Sequence, residues 1–262
     1  MNLAMAGRGY VVTGGSRGVG HAIVATLLAE GALVATCARD VGALERAWSD
    51  IPQTVRGRLL LCGCDVLDDD RLGALVADAA RAFGRLDGVV ANAGAGVGGG
   101  VLDTPATAWE AQFAIKVHGV RNLVMPAVPH LAASDAGAAV IVNGVTGHAP
   151  EPDLAAVGVA RAAVLNLAQA LARELASQRV RVNVINLGAI VTDRQRRRHA
   201  ASGSTVDFSA WCAGEAARRG IPLRRFGELH EVAPAVAFVL SPLASYITGA
   251  TIDIAGGLGT RV

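Results

Sequence analysis

The chain has 262 residues, 52% of them hydrophobic and 18% charged, with 32 glycines. That balance suits one large α/β domain with a substantial core, and it excludes a disordered or fibrous chain. A formal net charge of +2 gives no reason to expect nucleic acid or an anionic membrane as a partner. A glycine-rich motif begins within thirteen residues of the start, so no signal peptide is expected, and no apolar run reads as long enough to span a bilayer. The expected compartment is a reducing cytoplasm. Cys37, Cys62, Cys64 and Cys212 are then free thiols. No further ligands stand near the Cys62–Cys64 pair, so no metal site is expected.

Strand-like and helix-like stretches alternate along the chain. Residues 10–13 form a short apolar strand that runs into glycines. A helix follows over 21–30, a strand over 32–37, a helix over 44–50, a strand over 59–64, a helix over 71–83 and a strand over 88–92. One long helix is expected over 108–128, closed near Pro126 and Pro129. Then come a strand over 138–143, a long helix over 160–177, a strand over 180–187, a helix over 231–240 and a last strand over 251–254. The strands are near-continuous apolar runs, the mark of a parallel sheet covered on both faces. The expected fold is therefore a single α/β domain, residues 1–262, with a doubly wound parallel sheet of Rossmann type. Residues 193–220 break the rhythm. They are polar and basic, follow a strand's C-terminal end, and read as a lid-like excursion or a solvated loop.

The run Val12 to Gly20 follows the first strand and opens the first helix. Gly14, Gly18 and Gly20 permit a tight turn and close approach of the backbone to a pyrophosphate, and Ser16, Arg17 and Val19 lie in the same turn. This T-G-G-S-R-G-V-G resembles the glycine motif of the short-chain dehydrogenase/reductases. Asp65-Val66, the Asn92-Ala93-Gly94 turn, Arg181 to Val184 with Gly188 and Thr192, Arg225 to Gly227, Ser245 to Gly249, and Gly256-Gly257 match that family in order and spacing. The resemblance implies a dinucleotide cofactor contacted by Gly14, Ser16, Arg17, Gly18, Val19, Gly20, Asp65, Val66, Asn92, Ala93, Gly94, Gly188, Ile190 and Thr192. It also implies a small-molecule substrate and a homodimer or homotetramer. NAD binding calls for a carboxylate at the end of the second strand, where Ala38-Arg39 stands instead. Arg17 and Arg39 together suit the 2′-phosphate of NADP(H), although Asp40 follows and Arg39 could merely cap the next helix.

The family's catalytic Tyr and Lys, four residues apart, correspond to Val157 and Arg161. Val157 has no proton to give. Arg161 can reach a ribose hydroxyl but stays protonated. The family's Ser aligns with Thr146 by the strand and with Gly144 by counting back from Val157; Thr146 is preferred. The family's Asn corresponds to Lys116, either a proton donor beside Arg161 or a structural substitute. His148, Glu151 and Asp153 are acid/base candidates by position, or solvated loop residues. The basic run 193–199 could attract an anionic substrate. Three functions stay open: an NADPH-dependent oxidoreductase acting on a carbonyl or imine, a non-redox catalyst on the same scaffold, and an inactive NADP-binding subunit partnering an active relative.

Overall fold

Short runs of Val, Ala, Leu and Ile, shielded on both faces, build the sheet. In the computed structural model, which describes residues 2–259, these are β1 (Gly9–Thr13), β2 (Leu33–Ala38), β3 (Leu59–Gly63), β4 (Gly88–Ala91), β5 (Ala138–Gly144), β6 (Arg181–Leu187) and β7 (Thr251–Ile254). All seven pair in parallel, in the order β3-β2-β1-β4-β5-β6-β7. Each lies within two residues of its expected bounds. The winding direction reverses between β1 and β4, and such a switch opens a crevice at the strands' C-terminal ends.

Ten helices clothe the sheet among the described residues. They are α1 (Gly18–Ala29), α2 (Val41–Ala47), α3 (Gln53–Arg56), α4 (Asp69–Phe83), α5 (Ala106–Phe113), α6 (Gly119–Ala133), α7 (Ala155–Leu175), α8 (Asp193–Ala201), α9 (Phe208–Arg218) and α10 (Leu229–Leu240). α1 and α10 bury Val24, Leu27, Val232 and Val236 on one face. α4, α6 and α7 bury Leu72, Leu123 and Val164 on the other. Asp68 starts α4 by accepting a hydrogen bond from the Arg71 amide at 2.9 Å, and Gly84, at φ 71°, ends it.

Three expectations need correction. The helix over 108–128 is two helices, α5 and α6, joined by a π-helical turn over Ala114–His118. α6 then passes through Pro126 and Pro129 to Ala133. Met125 and Pro129 lie on its exposed side, where water can take up a released carbonyl. Residues 193–220 are not a plain loop but carry α8 and α9. Asp207 caps α9 by accepting from the Ala210 amide at 2.8 Å, and Arg196 stacks 4.6 Å over the Phe208 ring. Cys212, Ala216, Ile221 and Phe226 give the segment its own small core. Finally, Ala155–Gln178 is long and apolar enough to cross a membrane by length and composition, with a mean hydropathy of 1.5. Here Val157, Ala160, Val164 and Ala168 of that helix are buried in the protein.

Candidate active site

The turn between β1 and α1 forms one end of the crevice. Gly14 takes φ 80°, and its amide donates to the Cys37 carbonyl at 2.9 Å. A side chain on Gly20 would collide with the Gly14 carbonyl and the Asn92 amide. The Asn92 side chain donates to the Thr13 carbonyl at 2.9 Å, tying the end of β4 to the turn. A cavity of about 710 Å³ opens here, lined by Gly14, Ser16, Arg17, Arg39, Asp65 and Asn92 among others. Val19, Gly20, Val66, Ala93 and Gly94 share the lining. Gly18 opens α1 beside it. Arg17 and Arg39 are exposed at its rim. Asp40, not Arg39, caps α2, accepting from the Ala43 amide at 2.9 Å. That engages the one carboxylate next to Arg39. A backbone cradle at a helix N-terminus with two arginines at the rim fits a dinucleotide bearing a further phosphate.

Val66, Asn92 and Gly94 also border a second cavity, of about 230 Å³, reached past Gly188, Ile190 and Thr192. Lys116, Arg161 and Arg194 converge on it, and no carboxylate lines it among the described residues. Lys116 stands in the π-helical turn, a local widening that helices often carry at functional sites. Its Nζ donates to the Ala95 carbonyl at 2.6 Å. Burial, then the nearby charges of Arg161 and Arg194, push its pKa down to about 7. Arg161 reaches in from α7 and donates from Nη1 to Thr146 Oγ1 at 2.7 Å. Burial, with Arg194 adding to it, pushes Arg161 down to about 10, against the pull of Glu151.

The guanidinium of Arg161 occupies space that β5 leaves empty. A Cβ on Gly144 would stand 2.5 Å from Arg161 Cζ and 2.9 Å from its Nε. No side chain larger than hydrogen fits at 144 while Arg161 keeps this pose.

A family model described as enoyl-(acyl carrier protein) reductase matches residues 14–259. The chain belongs to the short-chain dehydrogenase/reductase family. A 3-oxoacyl-(acyl-carrier-protein) reductase of Staphylococcus aureus is 31% identical, covering 95% of this chain and 96% of its own. A short-chain oxidoreductase of Pseudomonas aeruginosa, described as containing an atypical catalytic center, has been solved without ligand and with NADPH. The first structure is 38% identical with a TM-score of 0.94, the second 37% with 0.91, and each comparison covers 98% of this chain and 99% of that one.

Within this short-chain dehydrogenase/reductase, the crevice gathers the expected cofactor residues from both cavities. The other candidates separate. Lys116 and Arg161 line the inner cavity. Thr146 is buried, 3% exposed, and meets the cavity through Arg161. Val157 is also buried, behind Gly96. Asp153 is exposed and lines neither cavity; its carbonyl accepts from the Gly99 amide at 2.9 Å. His148 Nε2 lies 3.0 Å from Asp253, and Glu151 lies 3.5 Å from Arg219. In the sequence Arg194 stands only as one member of the basic run 193–199, and Gly144 only as the less favoured alternative to Thr146; the structure sets Arg194 on the cavity lining and Gly144 against Arg161. One signal was available for Lys116: it is the only lysine in the chain, and arginine holds every other one of the 24 Lys and Arg positions.

Gly144→Ala should push the guanidinium off Thr146 and cost about 1–3 kcal/mol of stability, the scale of overpacking. Gly57→Ala, with nothing within 4 Å of its added methyl, should change stability by less than about 0.5 kcal/mol. Urea denaturation measures both, and an unchanged midpoint for Gly144→Ala would show that the guanidinium is not held there.

Proposed function

We propose that this protein is an NADPH-dependent oxidoreductase that reduces a small carbonyl compound, with Lys116 as the proton donor. One observation carries the reading. The sole lysine of an otherwise all-arginine chain lines the inner cavity, in surroundings that bring its pKa to about 7. Arginine at this position would hold its proton throughout, so only lysine can serve as an acid that is then recharged. When bound, NADPH supplies the hydride. Gly14, Ser16, Gly18, Val19 and Gly20 would cradle its pyrophosphate, Arg17 and Arg39 its 2′-phosphate, and Asp65 and Val66 its adenine side. Asn92, Ala93, Gly94, Gly188, Ile190 and Thr192 would border the nicotinamide half.

At the reacting oxygen, the roles divide between two cations. Arg161, fixed by Thr146, offers a standing positive charge against which negative charge on the oxygen is stabilised. Lys116 delivers the proton that the family's Tyr would give, and Val157, buried behind Gly96, has no hydroxyl to offer. A positioned acid contributes about 10² to 10⁴ in rate, and fixed charges can contribute more. An iminium substrate is disfavoured, since Arg161, Arg194 and Lys116 would repel it. The Pseudomonas aeruginosa relative, described as having an atypical catalytic center and solved with NADPH, supports the reading.

Fluorescence titration should find NADPH bound about tenfold or more tightly than NADH, with Arg39→Ala removing the preference. Tighter binding of NADH would reject the two arginines, and binding of neither nucleotide would reject the cofactor. For hydride transfer to a ketone, the acid form of Lys116 is required. The rate should therefore be full below pH of about 7 and fall about tenfold per unit above it. Lys116→Arg keeps the charge but loses the transferable proton, and should lower the rate by about 10² or more. An unchanged rate rejects Lys116 as the donor. Turnover with no consumption of NADPH would instead favour the non-redox function.

We further propose that the protein is a homodimer or homotetramer built on the outer face of α7, where Val159 is 47% exposed and Ala162 and Leu165 face a shallow groove. Light scattering should give at least twice the chain mass of 26.6 kDa, and a monomer contradicts it.

A further inference from the structure

Three cations line the inner cavity, and no carboxylate lines it among the described residues. Lys116 and Arg161 are accounted for at the reacting oxygen, but Arg194 is not. It rises from the first turn of α8, and both terminal nitrogens of its guanidinium lie 3.3 Å from where a Cβ on Gly96 would stand. Val157 Cγ2 lies 3.6 Å from the same point. Arg194 is exposed, and it stands beside Gly96 and Val157 where the start of α8 meets the cavity. No hydrogen bond or ion pair among the described residues holds it. Its neighbours on α8 are engaged differently: Arg198 pairs with Glu215 at 3.3 Å, and Arg196 stacks on Phe208. The N-terminal end of α8 faces the cavity as well, through Thr192, Arg194 and Gln195, and it adds the positive end of the helix dipole. Glu151, the one carboxylate acting on Arg161, is itself engaged by Arg219 at 3.5 Å.

Like charges gathered around the cavity, with Lys116 and Arg161 half-buried and Arg194 exposed at its edge, repel one another and lower the stability of the empty site. An anion entering it relieves all three at once, through charge-assisted bonds that neutral ligands cannot make. We infer that Arg194, with Arg161 and Lys116, forms an anion subsite at the mouth of the inner cavity, and that the substrate is an oxo acid whose carboxylate is held by Arg194 while its carbonyl meets Lys116. The substrate class rests on the reductase reading, whereas the anion subsite does not. Because Arg194 belongs to α8, the carboxylate would also hold that helix over the occupied site.

The test is calorimetric titration of the protein saturated with NADP⁺, with sulfate, acetoacetate and methyl acetoacetate as probes. Sulfate and acetoacetate should bind to the same site in competition, and the ester should bind about tenfold or more weakly, the scale of one lost charge-assisted contact. Arg194→Gln should weaken both anions by a similar factor and leave NADP⁺ affinity unchanged. The inference is overturned if neither anion binds, if the ester matches the acid, or if Arg194→Gln spares anion binding. It is also overturned if Arg194→Gln weakens NADP⁺ itself, which would assign Arg194 to the phosphates of the dinucleotide. Reduction of neutral ketones without anion binding would remove the subsite and keep the reductase. Anion binding without any NADPH oxidation would do the reverse.

Discussion

The guanidinium of Arg161 against the bare backbone of Gly144 is the contact on which the site depends. A Cβ at 144 would overlap it, and the hydroxyl of Thr146 receives its Nη1 at 2.7 Å. With the charge fixed there, the environment of Lys116 follows. A lysine in a π-helical turn, half-buried and facing a permanent cation, holds its proton weakly. Had a larger residue stood at 144, Arg161 would have had to leave this position, and one of the two charges that depress Lys116 would have moved with it.

The two ends of the sheet treat arginine in opposite ways. At the N-terminal edge, Asp87 is buried but accepts bonds from Arg8 at 2.9 Å, Arg85 at 2.6 Å and Ser134 at 2.7 Å. Burial alone would raise the pKa of that carboxyl, but these bonds outweigh it and hold it below the usual range. There, opposite charges are matched and the arrangement is structural. At the C-terminal edge, Lys116, Arg161 and Arg194 stand without a carboxylate on the cavity wall. Unmatched charge at the edge where α/β sheets bind ligands is paid for in stability and recovered when an anion, or an oxygen gaining negative charge, arrives.

Much of this was legible in the sequence. The short, mostly apolar runs from Tyr10 to Thr13 and from Val182 to Ile185, too short for helices and bounded by glycine or polar residues, read as buried parallel strands, and they are buried on both faces. The glycines at 14, 18 and 20 carry a local rule about backbone approach, so the turn could be read without any long-range knowledge. Positions 116 and 161 were found because they stand at fixed steps from neighbouring motifs. What escaped was set by tertiary packing. The choice between Thr146 and Gly144 turned on where a guanidinium from α7 comes to rest, which no local pattern encodes. Asp153 was a candidate by its place in the loop before α7, but it is exposed and lines neither cavity. Arg194 was hidden in a run of basic residues, most of which contact α9 or solvent. The split of α5 from α6 hinges on a π-helical turn whose sequence, Ala-Ile-Lys-Val-His, does not announce it.

Because the chain holds a single lysine, its charge state can be observed without assignment. Protein produced with lysine labelled at Nζ with nitrogen-15 should give one side-chain resonance, and its pH titration reads Lys116 directly. A midpoint near 7 is expected, displaced upward in Arg161→Met as the neighbouring charge is removed. A midpoint near the ordinary lysine value of 10.5, unmoved by Arg161→Met, would contradict it.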